Sequence, residues 1–419
     1  MTKVTSIIPK LSAAKKAAAL MNRLADEQRI QLTLAIANKL KENIPQILQA
    51  NQKDLQAMDK SNPLYDRLQL TEQRIKAIAD ATSMVASLAD PVGKKLSSYQ
   101  HPNGILIEKN TVPLGVVGAI YEARPNVTVD ITSLCLRSGN AVVLKGGSDA
   151  HHSNTILVQL MQSVLTAFDL PQEIITLLPP EREVVGEMLT ASRYIDVLIP
   201  RGSQGLIDFV RKNATVPTIE TGAGVCHTYV HEKGDLDKAA AIVVNAKTQR
   251  PSVCNALDTI LVDESVAEAF LPRIIPGFLP FGVGIYAGDD PYAILEKNAY
   301  PFLHHASDED FGREYLSQNC SIKTVTGLTQ ALEHIARYSS RHSEAIVTED
   351  QETAEIFLSE VDAAAVYHNA STRFTDGGEF GLGAELGIST QKLHARGPFA
   401  LEKLVCEKWV VRGEGQVRN

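Results

Sequence analysis

A single cysteine stands between cationic and apolar residues in the stretch from Asn245 to Thr259, which reads NAKTQRPSVCNALDT. A thiol is a strong nucleophile only as its thiolate, and nearby cations such as Lys247 and Arg250 would lower its pKa if the fold brings them close. Cys254 is therefore the candidate for covalent chemistry. A half-buried structural cysteine is the alternative interpretation, since free cysteines are often buried.

Length and charge favour a multidomain enzyme over a nucleic-acid-binding protein. The 419 residues exceed one typical core, so two or more domains are expected. Lys and Arg total 41 against 49 Asp and Glu, a formal net charge of -8, which disfavours nucleic acid as a partner. The start of the chain has no apolar signal-peptide region, and no run of about 18 uncharged apolar residues predicts a membrane span.

The cysteines and histidines predict neither a disulfide framework nor a metal site. The five cysteines are odd in number and scattered, without a Cys-x-x-Cys pair. Two His pairs, His151-His152 and His304-His305, would point apart on a helix or strand, and no carboxylate or cysteine stands at ligand spacing. We expect a cytoplasmic protein without a bound metal.

Hydrophobic periodicity predicts an α/β protein behind a helical N-terminal region. Residues 10–90 carry apolar stripes at helical spacing, with Thr71 as a candidate helix N-cap. The strands that follow are predicted at Val116–Ile120, Ala141–Leu144, Ile174–Leu178, Val197–Ile199 and Thr215–Ile219. Helical patterns between them indicate a doubly wound parallel sheet, the usual platform for a dinucleotide. The Gly-x-Gly-x-x-Gly fingerprint is absent, so a nucleotide must be held differently.

A second alternation of helices and strands runs from about residue 236 to residue 390. It predicts a second α/β domain, and Cys254 lies near its beginning. The Gly-rich segment Asp376–Gly383 has no periodicity, which predicts a loop near a ligand or an interface, or alternatively a flexible crossing loop.

Four ordered segments resemble the aldehyde dehydrogenase superfamily over nearly the whole chain. They are Pro113–Gly118 with Arg124-Pro-Asn126, Gly139–Lys145, Glu220–Gly224 and the Cys254 segment. Longer stretches, including Tyr121–Thr128 (YEARPNVT) and Asn369–Glu385 (NASTRFTDGGEFGLGAE), resemble one branch of it. This resemblance implies two Rossmann-like domains with a small β flap, and reduction of L-glutamyl 5-phosphate to L-glutamate 5-semialdehyde in proline biosynthesis.

The resemblance implies that Cys254 carries the acyl group as a thioester. Its thiolate would displace phosphate from the acyl phosphate, and the thioester is a better hydride acceptor than a carboxylate. Asn126 matches an asparagine whose amide donates to the developing oxyanion, with the backbone N–H of Cys254 as the second donor. Loss of one such donor typically costs about 2.7 to 4 kcal/mol of transition-state stabilisation.

The resemblance also implies NADPH (NADP) as the cofactor. Lys145 matches a lysine that contacts the adenosine ribose or its 2′-phosphate, and Ser148 stands where NAD-preferring relatives carry a glutamate that would repel that phosphate. Gly202 and Ser203 open a helix whose free N–H groups suit the pyrophosphate. The predicted cofactor set is completed by Glu220, Thr221 and Glu314.

Glu220 aligns with the glutamate that activates water in hydrolytic members of the superfamily. A reductase does not need that water, because hydride resolves the thioester. Glu220 would then orient the nicotinamide or Cys254, or it only ends a strand at the domain boundary.

The implied substrate carries an α-carboxylate, an α-ammonium and an acyl phosphate. Its pocket therefore needs cations and at least one acceptor, and the fork of an arginine suits carboxylate or phosphate. The candidates are Arg124, Lys247, Arg250, Asn255 and Arg373. The cations among them could instead form ordinary ion pairs.

Domain boundaries follow from the same resemblance. It predicts a cofactor-binding domain of residues 1–99, 114–223 and 391–402, a catalytic domain of residues 224–390, and an oligomerisation flap of residues 100–113 and 403–419. The exposed strand edges of the flap would need a partner chain, so we expect a homo-oligomer. Coupling to a glutamate 5-kinase is left open, and no nucleic acid or membrane partner is expected.

Three other functions stay open. A hydrolytic aldehyde oxidase of the same fold would release free acid without phosphate. A cysteine hydrolase would use Cys254 without nucleotide, but it needs a nearby histidine that this segment lacks. A non-catalytic binding protein would tolerate the loss of Cys254 and Asn126.

Overall fold

The computed structural model describes residues 6–62 and 64–418 and divides the chain into two compact units. Unit 1 comprises residues up to 221 together with 381–387 and 399–419, and unit 2 comprises residues 222–380 and 388–398. The division after residue 221 lies two residues before the predicted one. Residues 381–387 and 391–398 group with the opposite unit from the one predicted. The assignment of cofactor binding and catalysis to these units stays a prediction.

Unit 1 begins with helices and then alternates between strands and helices. Its elements before residue 221 are α1 (Ile8–Met21), α2 (Asp26–Glu42), α3 (Ile44–Gln56), α4 (Tyr65–Leu68), α5 (Glu72–Ser87), β1 (Lys95–Gln100), β2 (Leu106–Pro113), β3 (Val116–Tyr121), α6 (Pro125–Arg137), β4 (Ala141–Gly146), α7 (His151–Ala167), β5 (Ile175–Leu177), α8 (Glu183–Leu189), β6 (Val197–Arg201) and α9 (Gln204–Asn213). Thr71 caps α5 as predicted, because its side-chain oxygen accepts from the Arg74 N–H at 3.1 Å.

The parallel sheet of unit 1 has the strand order β5-β4-β3-β6. Every residue of β3 and β4 is buried, as expected for parallel strands covered on both faces. The strand order reverses beside β3, which leaves a crevice at the carboxyl ends of β3 and β6. The predicted strand at Thr215–Ile219 is wrong, since only Thr218 forms a bridge to Leu198. Pro217 removes a ladder N–H from its middle.

Unit 2 contains the second predicted alternation. Its elements are β7 (Cys226–Val230), α10 (Leu236–Thr248), β8 (Leu257–Asp263), α11 (Glu264–Phe278), β9 (Gly284–Ala287), α12 (Asp289–Lys297), β10 (Leu303–His305), β11 (Asn319–Val325), α13 (Leu328–Tyr338), β12 (Ser343–Val347), α14 (Gln351–Glu360) and β13 (Ala365–His368). The seven strands form one parallel sheet in the order β10-β9-β11-β8-β7-β12-β13. Together with the sheet of unit 1, this sheet confirms the predicted α/β class.

Three further strands complete the chain: β14 (Glu385–Ser389), β15 (Gly397–Ala400) and β16 (Val405–Arg412). β14 pairs with β15, and β16 joins β1 and β2 in an antiparallel sheet of order β1-β2-β16. The predicted flap segments contain β2 and β16, but the sheet begins earlier, at Lys95. In the part of the chain from residue 6 to 62 and from 64 to 418, no helix has the length and apolar character needed to cross a membrane.

Candidate active site

A cavity of about 650 Å³ lies in unit 1 at the carboxyl edge of its parallel sheet. Four strand ends contribute to its wall through Tyr121 at the end of β3, Lys145 in β4, Pro180 after β5 and Ser203 after β6. Ser148 lines the same cavity. Three residues of the predicted cofactor set, Lys145, Ser148 and Ser203, therefore meet around one space, because parallel strands bring their carboxyl ends to one edge.

Lys145 is nearly buried, and its ammonium is held in place by backbone oxygens. The Nζ donates to the carbonyls of Gly146 and Pro180, each at 3.0 Å. Burial lowers the pKa of Lys145; the carboxylate of Glu181 raises it and the guanidinium of Arg182 lowers it further. A cation that is bound only by neutral carbonyls keeps its full charge available for an anionic ligand.

Two arginines that the sequence reasoning missed also line this cavity. Arg67 comes from α4 and Arg182 directly precedes α8. Within residues 6–62 and 64–418, neither guanidinium has a hydrogen bond or an ion pair. The carboxylates of Glu122 and Asp149 line the cavity as well, and the three cations Arg67, Lys145 and Arg182 make part of its wall suited to an anionic ligand.

At the N-terminus of α9, a carboxylate of the protein itself accepts a hydrogen bond. Ser203 is the N-cap of this helix, and its backbone N–H donates to Glu122 Oε2 at 2.7 Å. A Cβ atom added at Gly202 would lie 2.5 Å from the same oxygen. In this structure a carboxylate thus accepts from an N–H at the helix end that was predicted to bind a pyrophosphate, and the cofactor role of Gly202 and Ser203 stays a prediction.

Asn126 lies in the first turn of α6, one residue after Pro125. Its amide nitrogen donates to Asp130 Oδ2, one turn further along the helix, at 2.9 Å. Removal of Asp130 from water raises the pKa of its carboxyl to about 6, and the Asn126 amide and the charge of Arg201 oppose this rise. Asp130 therefore fixes the orientation of the amide that was predicted to stabilise an oxyanion.

Glu220 and Thr221 end the long first segment of unit 1. Thr221 is buried, and its hydroxyl donates to the Pro200 carbonyl at 3.3 Å. Burial raises the pKa of Glu220, and the charge of Arg211 opposes the rise. Thr221 thus holds this segment against β6, and the cofactor roles of both residues stay predictions.

In unit 2, Cys254 lies on the loop between α10 and β8, at the amino edge of the seven-stranded sheet. The side chain is half-buried. A Cβ atom added at Gly224 would lie 1.6 Å from the Cys254 carbonyl oxygen. Only a glycine permits this contact, so the backbone before β7 determines where the Cys254 loop lies.

The other four cysteines are poorly suited to nucleophilic chemistry. Burial raises the pKa of each of their thiols; the four are Cys135, Cys226, Cys320 and Cys406. Cys226 lies closest to the candidate, and its Sγ donates to the Cys254 carbonyl at 3.3 Å. A thiol with a raised pKa stays protonated and serves as a donor, so Cys226 supports the loop instead of competing as a nucleophile.

Lys247 does not contact solvent, contrary to its predicted role as a substrate cation. Its Nζ donates to the Asn319 carbonyl at 2.7 Å and lies 3.7 Å from Asp258 Oδ1. Burial raises the pKa of Asp258 to about 7, and the charge of Lys247 opposes this rise. The structure therefore gives no support for substrate binding by Lys247, which belongs to a buried ion pair near the start of β8.

Glu314 is joined to the same region by a backbone hydrogen bond. Its Oε1 accepts from the Gly224 N–H at 2.8 Å, and burial raises its pKa. Glu314 thus holds the glycine that packs on Cys254. Its predicted contact with the cofactor stays a prediction.

Asn255 ties the Cys254 loop to the Arg373 segment. Its side-chain amide donates to the backbone carbonyl of Thr375 at 2.9 Å, and its backbone carbonyl accepts from the Thr372 hydroxyl at 2.8 Å. Arg373 donates to the Asn255 side-chain oxygen and to Gln249 Oε1. Asn255 is buried, so its predicted contact with substrate is replaced by a positioning role.

Comparison with known proteins decides the family. A family model described as the aldehyde dehydrogenase family matches residues 3–284. A gamma-glutamyl phosphate reductase from Legionella pneumophila (strain Paris) is 50% identical over 417 residues, which cover 99% of this chain and 100% of the relative. The chain belongs to the aldehyde dehydrogenase family. The resemblance read from the sequence motifs is confirmed.

Solved structures agree with this assignment. The crystal structure of a gamma-glutamyl phosphate reductase from Thermotoga maritima matches this aldehyde dehydrogenase family member with a TM-score of 0.94 and 42% identity, covering 99% of this chain and 100% of the other. An engineered glycolyl-CoA reductase with bound NADP+ shares the fold with a TM-score of 0.68 at 16% identity, covering 97% of this chain and 96% of that one.

Several positions that shape these two sites in this family member had no role in the sequence reasoning. Asp130 could have been found, because it stands four residues after Asn126 and so shares its helix face. Arg182 follows a predicted strand, which is a weaker signal. Glu122 and Gly224 lie within segments that carry the family resemblance, but nothing in the sequence indicates their contacts, and Arg67 carries no signal in the sequence alone. Over the residues described, no group of three or more His, Cys, Asp or Glu is arranged to hold a metal ion.

Proposed function

We propose that this enzyme reduces L-glutamyl 5-phosphate with NADPH to L-glutamate 5-semialdehyde, with release of phosphate, through a thioester on Cys254. The observation that carries the proposal is its similarity, over the whole chain, to relatives named gamma-glutamyl phosphate reductase. Cys254 supports it as a half-buried thiol on the loop before β8, whereas burial raises the pKa of each of the other four thiols.

The proposed reaction passes through an acyl transfer to Cys254 and a reduction of the resulting thioester. The Cys254 thiolate attacks the acyl carbon, the bond to the phosphate oxygen breaks, and phosphate leaves with the bonding electrons. NADPH, when bound, supplies the hydride that reduces the thioester. The carbon–sulfur bond then breaks, the aldehyde leaves, and the electron pair returns to the Cys254 sulfur. The Asn126 amide and the Cys254 backbone N–H are the proposed donors to the oxyanion in both steps.

The cavity in unit 1 fits the adenosine half of NADPH. Lys145, Arg67 and Arg182 supply three positive charges, two of them without a partner in the described residues, and Ser148 adds no carboxylate that would repel a 2′-phosphate. These residues are the groups that we propose to hold the nucleotide, and Glu122 would have to release the Ser203 N–H for a phosphate to bind there.

Arg182 provides a test of the preference for NADPH over NADH. We expect the Arg182→Gln variant to raise the KM for NADPH by about 10- to 100-fold, the range typical of one lost hydrogen bond between charged groups, and to leave the KM for NADH nearly unchanged. Arg193→Gln, which changes an exposed arginine of the same unit, is the control. Steady-state kinetics with both nucleotides measure the effect. Equal losses with NADPH and NADH would contradict recognition of the 2′-phosphate.

The raised pKa of Asp130 predicts that kcat depends on pH. Its pKa is raised to about 6 in the folded protein, so the carboxylate that holds the Asn126 amide is lost as pH falls through 6. We expect the wild-type kcat to fall below pH 6, and the Asp130→Asn variant to lack this limb and have a lower kcat at pH 7.5. Because the folded pKa lies above the unfolded value, ionised Asp130 destabilises the fold above pH 6.

The same variant therefore has a second readout. Asp130→Asn should raise the unfolding temperature at pH 8, although it lowers kcat. Asp169→Asn, at an exposed position, should change neither quantity. An unchanged acidic limb in Asp130→Asn would remove Asp130 from the oxyanion argument.

The proposed reaction is tested by the decay of NADPH absorbance with enzymatically generated L-glutamyl 5-phosphate. In the reverse direction, NADP+ reduction by the semialdehyde should require inorganic phosphate. A hydrolytic aldehyde oxidase would show no phosphate requirement, and a cysteine hydrolase would consume no nucleotide. Either result would contradict the proposed function.

We also propose that the antiparallel sheet of β1, β2 and β16 joins copies of this chain. Tyr99, Ile107 and Val411 stand in one cross-strand row, and Trp409 lies in the next row on the same face. Tyr99, Trp409 and Val411 are more than half exposed. Such an apolar face on strands with open edges is typical of a surface that a partner covers.

Trp409→Glu is expected to reduce the mass of the particle, because a charge in this face would have to be buried against the partner. Size-exclusion chromatography with light scattering measures the mass. Lys408→Glu changes a neighbouring residue on the opposite face of β16 and should leave the oligomer intact. A wild-type chain that is monomeric at micromolar concentration would contradict this proposal.

Two cellular aspects of the proposal follow from its chemistry. Cys254 must stay a free thiol, so we propose a reducing compartment such as the cytoplasm. The substrate is an acyl phosphate of glutamate, so a glutamate 5-kinase is the class of enzyme that must supply it.

A further inference from the structure

A second concave space, of about 180 Å³, lies in unit 2 beside the Arg373 segment. Asn245 and Gln249 of α10 form one wall, and Arg373, Phe374, Asp376 and Glu379 form the other. Arg373 also donates to Asn255, the residue that directly follows Cys254. The space is therefore connected to the nucleophile loop through one side chain.

Both signs of charge line this space, and the charge of Asp376 opposes the lowering of the Arg373 pKa by burial. Arg373 donates through Nε to Gln249 and through Nη1 to Asn255, and its Nη2 has no hydrogen bond within the described residues. Across the residues the structure describes, Asp376 and Glu379 take part in no ion pair, although they are neighbours of like charge. Asp376 and Glu379 are both exposed, so the cation of a ligand can reach them, and the guanidinium of Arg373 beside them suits an anion of the same ligand.

Asp376 is also held in a fixed orientation. One of its oxygens accepts from the backbone N–H of Gly378 at 2.8 Å and from that of Glu379 at 3.4 Å. A carboxylate that the backbone positions in this way loses little freedom when it binds a donor, so it is a suitable acceptor for an ammonium group.

We propose that Asp376, with Glu379, binds the α-ammonium group of the amino-acid substrate, while Arg373 faces its α-carboxylate. This inference rests on the proposed function, which requires a substrate with both groups. It adds the acceptor side of the pocket, and it makes Asp376 a specificity-determining residue. The ammonium distinguishes glutamyl compounds from the corresponding dicarboxylic semialdehydes, so this subsite selects amino acids.

The test compares two aldehydes in the reverse reaction with NADP+ and phosphate. L-Glutamate 5-semialdehyde carries the α-ammonium, and glutarate semialdehyde (5-oxopentanoate) is identical except that hydrogen replaces it. We expect Asp376→Asn with Glu379→Gln to lower kcat/KM for the amino substrate by about 10- to 100-fold, as for lost hydrogen bonds to a charged group, and to leave kcat/KM for 5-oxopentanoate unchanged or slightly raised. Glu296→Gln, an exposed residue at the end of α12, is the matched control.

The outcomes separate this inference from the proposed function. Equal losses for both aldehydes would mean that Asp376 only shapes its loop, and this would overturn the inference. Unchanged kinetics for both aldehydes would also overturn it. If the wild-type enzyme oxidises neither aldehyde with phosphate, the proposed function itself fails, whatever the variant does.

Discussion

Replacing Cys254 with alanine is expected to lower kcat for reduction of L-glutamyl 5-phosphate by at least about 10⁴-fold, the scale seen when a covalent nucleophile is removed. Without the thiolate, hydride would have to reduce an acyl phosphate that has no covalent link to the protein. The unfolding temperature should stay within a few degrees, because the half-buried side chain is small. The measurement is NADPH absorbance decay, paired with thermal unfolding followed by circular dichroism.

Cys406→Ala is the matched control for that loss. Cys406 is the exposed cysteine of β16, in unit 1, and its replacement should leave kcat unchanged. Alkylation adds an independent readout, because iodoacetamide should inactivate the wild-type enzyme and the Cys406→Ala variant at the same rate. A Cys254→Ala variant that kept more than about a hundredth of the activity would remove Cys254 as the nucleophile.

The strand and helix pattern was predictable because it depends on local periodicity. Predicted elements such as Ala141–Leu144 lie inside observed strands, and apolar β-branched residues flanked by turns are sufficient for this. The strand predicted at Thr215–Ile219 failed because Pro217 cannot take part in a ladder as a donor. The periodicity of this segment indicates only that it is apolar, and Pro217 prevents it from forming a regular strand.

Among the site residues, those at the ends of strands were predictable and those in the Cys254 segment were not. Lys145, Ser148 and Ser203 were predictable as a group, because the ends of parallel strands converge in any sheet of this type. Lys247 and Asn255 stand close to Cys254 in the sequence, but the structure turns both side chains inward. Closeness in the sequence correctly predicted that both residues lie near Cys254. It could not predict the direction in which their side chains point.

Gly224 shows a third limit of prediction from sequence. Its importance arises from a contact between backbones that are 30 residues apart, and no residue type in the sequence marks that contact. Around Cys254, most of the stabilising hydrogen bonds also involve backbone atoms: the Cys254 carbonyl accepts from Cys226, and the Gly224 N–H donates to Glu314. The nucleophile is thus positioned by main-chain geometry, which sequence patterns describe poorly.

Replacing Gly224 with alanine should therefore also lower activity strongly, although less than removing the thiol does. The new Cβ atom would lie 1.6 Å from the Cys254 carbonyl oxygen. Because that oxygen belongs to the backbone, it cannot rotate away as the end of a flexible side chain would. The Cys254 loop would have to shift by an ångström or more, which can cost about 10²-fold or more in kcat. We expect a lower kcat, slower alkylation of Cys254 and a lower unfolding temperature.

The neighbouring glycine separates this effect from a general intolerance of the segment. A Cβ atom at Gly222 would meet the Thr390 hydroxyl at 3.1 Å, a contact that rotation of a side chain can relieve. Gly222→Ala should consequently keep most of its activity. If Gly224→Ala and Gly222→Ala were equally active, the close packing of Gly224 on Cys254 would have no role in positioning the nucleophile, and the loop would have to be held by Cys226 and Asn255 alone.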